Sequence, residues 1–306
     1  MLWVLPLRKP NFPTIGEHFM KQKLLIAGGD LRQIYCARRL SELYDIAVAG
    51  FDEKYIPADT DLEIVSLSEK EKYDCVVLPV PALGEGELLN TPCCDEKISA
   101  ADIAALLKPN APVFAGKVSG KLRDIFSGFE VCDYMEREEL SLLNAIPTAE
   151  GAVQIAIEEL PVTLSGQKIL IVGCGRIGTA LVGILKGFGA DVTVSVRNAK
   201  GAAKARILGA KTCCTKDIVT DCGLVFNTVP DLIFDRETLG KFPRNTLFID
   251  LASKPGGIDF EAAAELGIKA IWALGLPGKT APITSGEIIA DTISGILSEK
   301  GGDSHG

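Results

Sequence analysis

Short continuous apolar runs alternate along the chain with stretches whose apolar positions return every third or fourth residue, the pattern of buried strands followed by amphipathic helices. The regularity begins after Met20. Lys23-Leu-Leu-Ile-Ala27 reads as a strand, Gly28-Gly-Asp30 as a turn, residues 34–43 as a helix and 45–52 as the next strand. Strands at 73–80 and 112–116 follow, separated by a loop at 84–87 and a helix at 100–107, and 128–134 closes this unit. Asn144-Ala-Ile-Pro-Thr-Ala-Glu-Gly151 leads into an apolar helix at 152–160, with Pro147 near its first turn, where a missing N–H is harmless. The alternation then restarts. Strands are read at 168–172, 189–196 and 212–214, with helices at 179–186 and 199–208 and one capped by Thr215. Strands at 224–227 and from 246 and 269 come next, and an amphipathic helix at 285–297 ends the pattern.

Strands alternating with helices predict an α/β fold of parallel sheets. Two such series predict two Rossmann-like domains linked by a bridging helix, with the C-terminal helix returning to the first domain. The boundaries read as 21–143 plus 283–298 for the first domain and 144–282 for the second. Residues 1–20, with Arg8-Lys-Pro-Asn-Phe-Pro13, read as an extension outside the core, and 301–306 as a disordered tail.

The clearest chemical signal opens the second series. Lys168-Ile-Leu-Ile-Val-Gly-Cys-Gly-Arg-Ile-Gly178 is a strand, a glycine turn and a helix start. Gly173 permits the turn, Gly175 lets a pyrophosphate approach the backbone, and Gly178 lets helix and strand pack closely. Arg176 and Ile177 begin the helix whose N–H groups face the phosphates. The next strand ends in Ser195-Val-Arg197-Asn198 rather than in Asp or Glu. A carboxylate there would hold the ribose 2′-hydroxyl of NAD, whereas arginine accommodates a 2′-phosphate, so Ser195, Arg197 and Asn198 favour NADP over NAD. Asn227, Thr228, Pro230 and Gly275 lie at later strand exits and complete the expected cofactor edge. The first series lacks the third glycine, since Asp30, Leu31, Arg32 and Gln33 occupy its turn; it reads as a degenerate domain that holds substrate.

Composition narrows the partners. With 306 residues and 47% hydrophobic ones, two ordinary domains can bury their cores. A formal net charge of −8 argues against nucleic acid and against anionic membranes as partners. No membrane-length apolar run and no secretory signal is read, so a cytoplasmic protein is expected. The nine cysteines include no Cys-x-x-Cys pair, and the two histidines, His18 and His305, lie near the ends, so no metal site is expected. The same lack of histidine removes the usual general acid of a 2-hydroxy-acid dehydrogenase. The Ser-x-Ser-Pro-x-x-His-Asn motif of the shikimate dehydrogenases is absent as well.

Ligands of such sheets bind beyond the carboxyl ends of the strands. If the halves face each other, Arg32, Lys117, Ser119, Asn144, Thr148, Ser253 and Lys254 collect in one cleft. That cleft is cationic and hydroxyl-rich in an acidic protein, and suits a small polycarboxylate.

Ile-Ala-Gly-Gly-Asp-Leu-Arg-Gln33, Asn-Ala-Ile-Pro-Thr-Ala-Glu-Gly151, Asp-Leu-Ala-Ser-Lys-Pro-Gly-Gly257 and Ala-Leu-Gly-Leu-Pro-Gly-Lys-Thr-Ala-Pro282, with the glycine turn, resemble the A subunits of dipicolinate synthases from about residue 21 to 297. The resemblance implies NADP-dependent oxidation of dihydrodipicolinate to pyridine-2,6-dicarboxylate in the mother cell of sporulating bacteria, beside a flavoprotein-like B subunit. Under that reaction Arg32, Lys117, Ser119, Asn144, Thr148 and Ser253 are the candidate contacts of a small dicarboxylate. A proton must also leave the substrate, and Lys254 or Glu150 could accept it, Lys254 only if burial lowers its pKa. Two other readings stay open: a nucleotide-binding scaffold whose partner does the chemistry, and a different NADP-dependent dehydrogenase. Homo-oligomerisation also stays open.

Overall fold

The computed structural model describes residues 21–302 except 59, 61, 69 and 70, with only the backbone of 300–302. The extension read at 1–20 and the end of the tail lie outside these residues. The first unit comprises β1 (Lys23–Ala27), α1 (Leu31–Leu40), β2 (Asp45–Ala49), β3 (Glu63–Ile64), β4 (Cys75–Val77), α2 (Ala100–Ala104), β5 (Val113–Ala115), α3 (Gly120–Ile125) and β6 (Val131–Asp133). A long helix, α4 (Glu138–Glu159), comes next. The second unit comprises β7 (Lys168–Val172), α5 (Arg176–Gly187), β8 (Asp191–Val196), α6 (Ala199–Ile207), β9 (Lys211–Cys214), β10 (Leu224–Asn227), α7 (Arg236–Leu239), β11 (Leu247–Asp250), α8 (Phe260–Leu266), β12 (Lys269–Trp272) and α9 (Leu276–Thr280). Helix α10 (Pro282–Gly302) ends the described chain.

Both sheets are parallel, ordered β3-β2-β1-β4-β5-β6 and β9-β8-β7-β10-β11-β12. Each has the doubly wound order, so each has one switch point, between β1 and β4 and between β7 and β10. The apolar runs form the central strands because a parallel sheet covered on both faces needs apolar residues at every position. Leu24 to Ala27 and Ile169 to Val172 are all buried.

Helix α4 is where the chain departs most from the sequence reading. Residues 144–151 are its interior rather than its approach, and Pro147 is buried within it. The missing proline N–H removes the bond to the Leu143 carbonyl. The helix continues because both of its ends are packed: Leu140 joins the core of the first unit, and Ala149, Ala152, Val153 and Ala156 join that of the second. Beside the proline, the Thr148 hydroxyl donates to the Asn144 carbonyl at 2.8 Å. Among the described helices α4 alone is long and apolar enough to cross a membrane, by length and composition; here part of its apolar surface joins the two cores, while Leu142, Ile146 and Ile157 stay exposed. The segment after Thr215 forms no helix: Asp217 N–H closes a turn onto the Cys214 carbonyl at 3.0 Å, and the chain passes to β10.

Helix α10 returns to the first unit, where Ile288, Ile289, Ala290, Ile293 and Ile296 join its core. It approaches α1 backbone to backbone at Gly286. A Cβ there would lie 2.4 Å from the Arg32 carbonyl oxygen and 2.8 Å from the Cys36 nitrogen. Since neither atom can swing away, Gly286→Ala should cost about 1–3 kcal/mol. Urea denaturation reads this, and an unchanged midpoint would mean that the helices separate freely.

Candidate functional site

The β7–α5 turn explains its glycines one by one. Gly173 has φ +97°, and a Cβ on it would lie 2.4 Å from the Thr228 Oγ1. That hydroxyl donates to the Val172 carbonyl at 2.8 Å and joins the two strands of the switch point. Gly175 caps α5 and faces open space. A Cβ on Gly178 would sit 2.2 Å from the Gly173 carbonyl oxygen, so helix and turn touch through backbone alone.

A cavity of ≈ 480 Å³ opens over this turn. Of the expected cofactor residues, Gly173, Gly175, Ser195, Arg197, Asn198, Thr228 and Pro230 line it; Cys174, Lys200, Lys204, Thr215 and Ile233 are among those the sequence did not single out. Its lining holds three cationic side chains and no carboxylate. Ser195 is buried, and its hydroxyl donates to the Thr215 Oγ1 at 3.1 Å. Asn198 caps α6, its Oδ1 accepting from the Gly201 N–H at 2.8 Å. Arg197 pairs with Asp231 at 3.0 Å.

A second cavity of ≈ 450 Å³ lies between α4 and the strand exits of the second unit. Asn144, Thr148 and Ser253 line it, as do Arg176 and Ile177, with Met135, Ser141, Ala145, Leu251 and Ala252 added by the structure. Gly175, Thr228 and Pro230 line both cavities, which therefore form one continuous groove across the switch point. Arg176 is its cation. The guanidinium makes a two-pronged ion pair with Glu138 on the first turn of α4, and that hydrogen bond holds the Glu138 carboxyl below the usual carboxylate range.

Other expected residues are placed elsewhere. Arg32 lines neither cavity: its Nε donates to Asp30 Oδ1 at 2.9 Å, and its Nη2 to Asp30 Oδ2 at 2.8 Å and to the Val80 carbonyl at 3.2 Å. The carboxylate two residues earlier claims the guanidinium, and Gly278 of α9 packs over the pair. Lys117 is an exposed residue with φ 57°, and Ser119 caps α3, its Oγ accepting from the Leu122 N–H at 3.2 Å. Glu150 faces outward from α4 in an apolar groove with Val153, Ile157, Ile184 and Phe188, away from the cleft. Asn227 is fully buried, and its amide donates to Asp250 Oδ1 at 2.8 Å rather than facing a ligand. Gly275 is an exposed cap of α9 and lines neither cavity. Lys254 is exposed and lines neither cavity, although Ser253, next in sequence, lines the second.

The corresponding turn of the first unit is closed. The Gly29 N–H, which would face a phosphate, donates to the Asn90 carbonyl at 2.8 Å. Thr91 lies 3.0 Å from where a Gly28 Cβ would stand, and Ile98 2.8 Å from that of Gly50. Residues 90–98 thus fill the space a dinucleotide would take. Among the described residues no cluster of His, Cys, Asp and Glu could hold a metal ion.

Two doubly wound units with one open glycine-turn groove define a nicotinamide-dinucleotide dehydrogenase fold. In agreement, residues 148–262 match the family model for the NAD binding domain of D-isomer specific 2-hydroxyacid dehydrogenases. Residues 23–135 match the model for the N-terminal domain of the dipicolinate synthase A subunit. The chain is 32% identical over 286 residues to the dipicolinate synthase A subunit of Bacillus subtilis (strain 168), covering 90% of this chain and 96% of that one. It is also similar to two solved structures of dipicolinate synthase A subunits. One is from Bacillus subtilis (TM-score 0.82, 30% identity, 93% of this chain and 98% of that one) and the other from Bacillus halodurans (0.83, 30%, 92% and 99%). A transhydrogenase from Sinorhizobium meliloti shares the fold at TM-score 0.67 and 14% identity, over 90% of this chain and 94% of that one. The chain belongs to the family of dipicolinate synthase A subunits.

Proposed function

We propose that the chain oxidises dihydrodipicolinate to pyridine-2,6-dicarboxylate with NADP, acting beside a B subunit in the mother cell of a sporulating bacterium. The observation that carries the reading is the continuous groove: a cationic cavity over the glycine turn meets a hydroxyl-lined cavity between the units at Gly175, Thr228 and Pro230. The cradle fits a dinucleotide, since Gly175, where a pyrophosphate needs close backbone, faces open space, while Gly173 and Gly178 stand where a Cβ would break the turn and its packing against the helix. Bound across the groove, the nicotinamide supplies the hydride acceptor.

The protein's own task is then mainly orientation. The Asn144 amide and the Ser253 hydroxyl offer hydrogen bonds to two substrate carboxylates; Thr148, whose hydroxyl is spent on the Asn144 carbonyl, lines the cavity beside them, and Arg176 offers the charge-assisted bond. Glu138 holds that guanidinium toward the cleft. Of the two candidates for the departing proton, Glu150 faces away and Lys254 is exposed next to Ser253, so Lys254 serves as the base only when bound substrate and cofactor bury its amine and favour the neutral form. Lys254→Gln should lower kcat about 100-fold with little change in KM, general-base catalysis being worth about 10²–10⁴; an unaffected kcat would pass the role to water.

The test reads absorbance in the reduced-nicotinamide band, mixing the chain with NADP or NAD and freshly generated dihydrodipicolinate, with and without the B subunit. Reduction by this chain alone places catalysis here. Reduction only with the partner makes the site a shared one, and none with either cofactor sinks the dehydrogenase reading in favour of a nucleotide-binding scaffold.

A further inference from the structure

The lining of the cationic cavity contains more positive charge than the strand-end arginine. Lys200 and Lys204 stand four residues apart on α6, on one face of the helix, and both line the cavity. Like charges at that spacing repel, whereas several other cations around the second unit are paired: Lys168 with Asp221, Arg176 with Glu138, Lys211 with Asp191, Arg236 with Glu265. The two lysines have no ion-pair partner among the described residues. Arg197 does have one, since Asp231 engages its guanidinium at 3.0 Å, and Asp231 directly follows Pro230, which lines the cavity.

We propose that Lys200 and Lys204 are the main clamp for the cofactor's 2′-phosphate, and that Asp231, by holding Arg197, limits how strongly that phosphate is preferred over a ribose hydroxyl. The proposal rests on the NADP reading above and assigns its specificity to residues outside the strand-end position. A phosphate arriving between α6 and the glycine turn meets two unopposed ammonium groups, whereas contact with Arg197 requires displacing a carboxylate. Lys204 shares the cavity lining with Cys174 of the glycine turn, whose thiol burial pushes up and the Lys204 charge partly offsets. The absence of any acidic side chain from the lining leaves the 2′-hydroxyl of NAD without its usual acceptor.

Calorimetric titration of the full chain with 2′,5′-ADP and with 5′-ADP isolates the 2′-phosphate from the rest of the cofactor. The wild type should bind 2′,5′-ADP more tightly, with steeper weakening by salt. Lys200→Ala and Lys204→Ala should each weaken 2′,5′-ADP about tenfold and leave 5′-ADP nearly unchanged, as expected for one charge-assisted contact apiece. Lys204→Arg should retain most of the preference. Arg197→Ala should cost less than either lysine, and Asp231→Asn should strengthen 2′,5′-ADP binding severalfold. A wild-type preference that survives loss of both lysines would overturn the clamp while leaving the NADP reading intact. No preference in the wild type would remove both. An Asp231→Asn variant with unaltered selectivity would overturn the part assigned to the carboxylate.

Discussion

Replacing Gly178 with alanine should weaken dinucleotide binding at least 100-fold and destabilise the fold by about 1–3 kcal/mol, the usual cost of overpacking a tight contact. The added carbon would stand 2.2 Å from the Gly173 carbonyl oxygen and 3.1 Å from its carbonyl carbon. Both are backbone atoms, and Gly173 is fixed in turn by its φ of +97° and by Thr228 against Val172. The turn can relieve the contact only by lifting the start of α5 from β7, which moves the N–H groups that face the phosphates. Gly183→Ala is the control: it lies within the same helix with open space around it, and should stabilise by up to about 1 kcal/mol, the helix preference of alanine over glycine. Titration with NADP and urea denaturation check both variants. Unchanged affinity in Gly178→Ala would mean that the phosphates do not sit on this turn.

The first unit shows how such a turn closes when that glycine is absent. Asp30 caps α1 as Gly175 caps α5, so Gln33 stands where Gly178 stands. Its side chain occupies the space a Cβ on Gly29 would need, with Cγ 2.4 Å away, and its amide donates to the Leu78 carbonyl at 3.3 Å. The sequence contained this difference, because a glycine requirement at a backbone contact is a local property. It likewise contained the strands, whose burial on both faces demands unbroken apolar runs. It did not contain the outcomes of competition between distant groups. Pro147 reads as a helix start, yet packing against two cores carries α4 through it. Arg32 reads as a candidate substrate contact at a strand exit, with an ion pair at the helix start as the alternative, and the Asp30 carboxylate takes it. Lys200 and Lys204 belong to no motif, and only the docking of α6 beside the glycine turn brings them to the cavity; their spacing four apart was the available signal.

Asp250→Ala should produce the other large effect. The Asp250 carboxylate is fully buried at the end of β11 and accepts three hydrogen bonds: from the Asn227 amide at 2.8 Å and the Ala252 N–H at 3.0 Å on one oxygen, and from the Gly257 N–H at 2.8 Å on the other. Asn227 also donates to the Val229 carbonyl at 2.9 Å, so a single carboxylate ties the β10 exit to the β11 exit. These exits supply Thr228, Pro230, Leu251, Ala252 and Ser253 to the groove. Alanine would strand three buried donors, each costing about 1–3 kcal/mol when unsatisfied, against a total stability of about 5–15 kcal/mol. Where the fold survives, the loop carrying Ser253 should loosen, so turnover falls more than affinity for the adenosine half of the cofactor, whose cavity the β11 exit does not line. Trp272 reports the change directly, because its indole N–H donates to the Ala252 carbonyl at 3.0 Å. In a Trp3→Phe background it is the only tryptophan left, and its emission should shift to the red in Asp250→Ala as the loop admits water. An unshifted emission with a wild-type urea midpoint would show that the two exits hold their positions without the carboxylate.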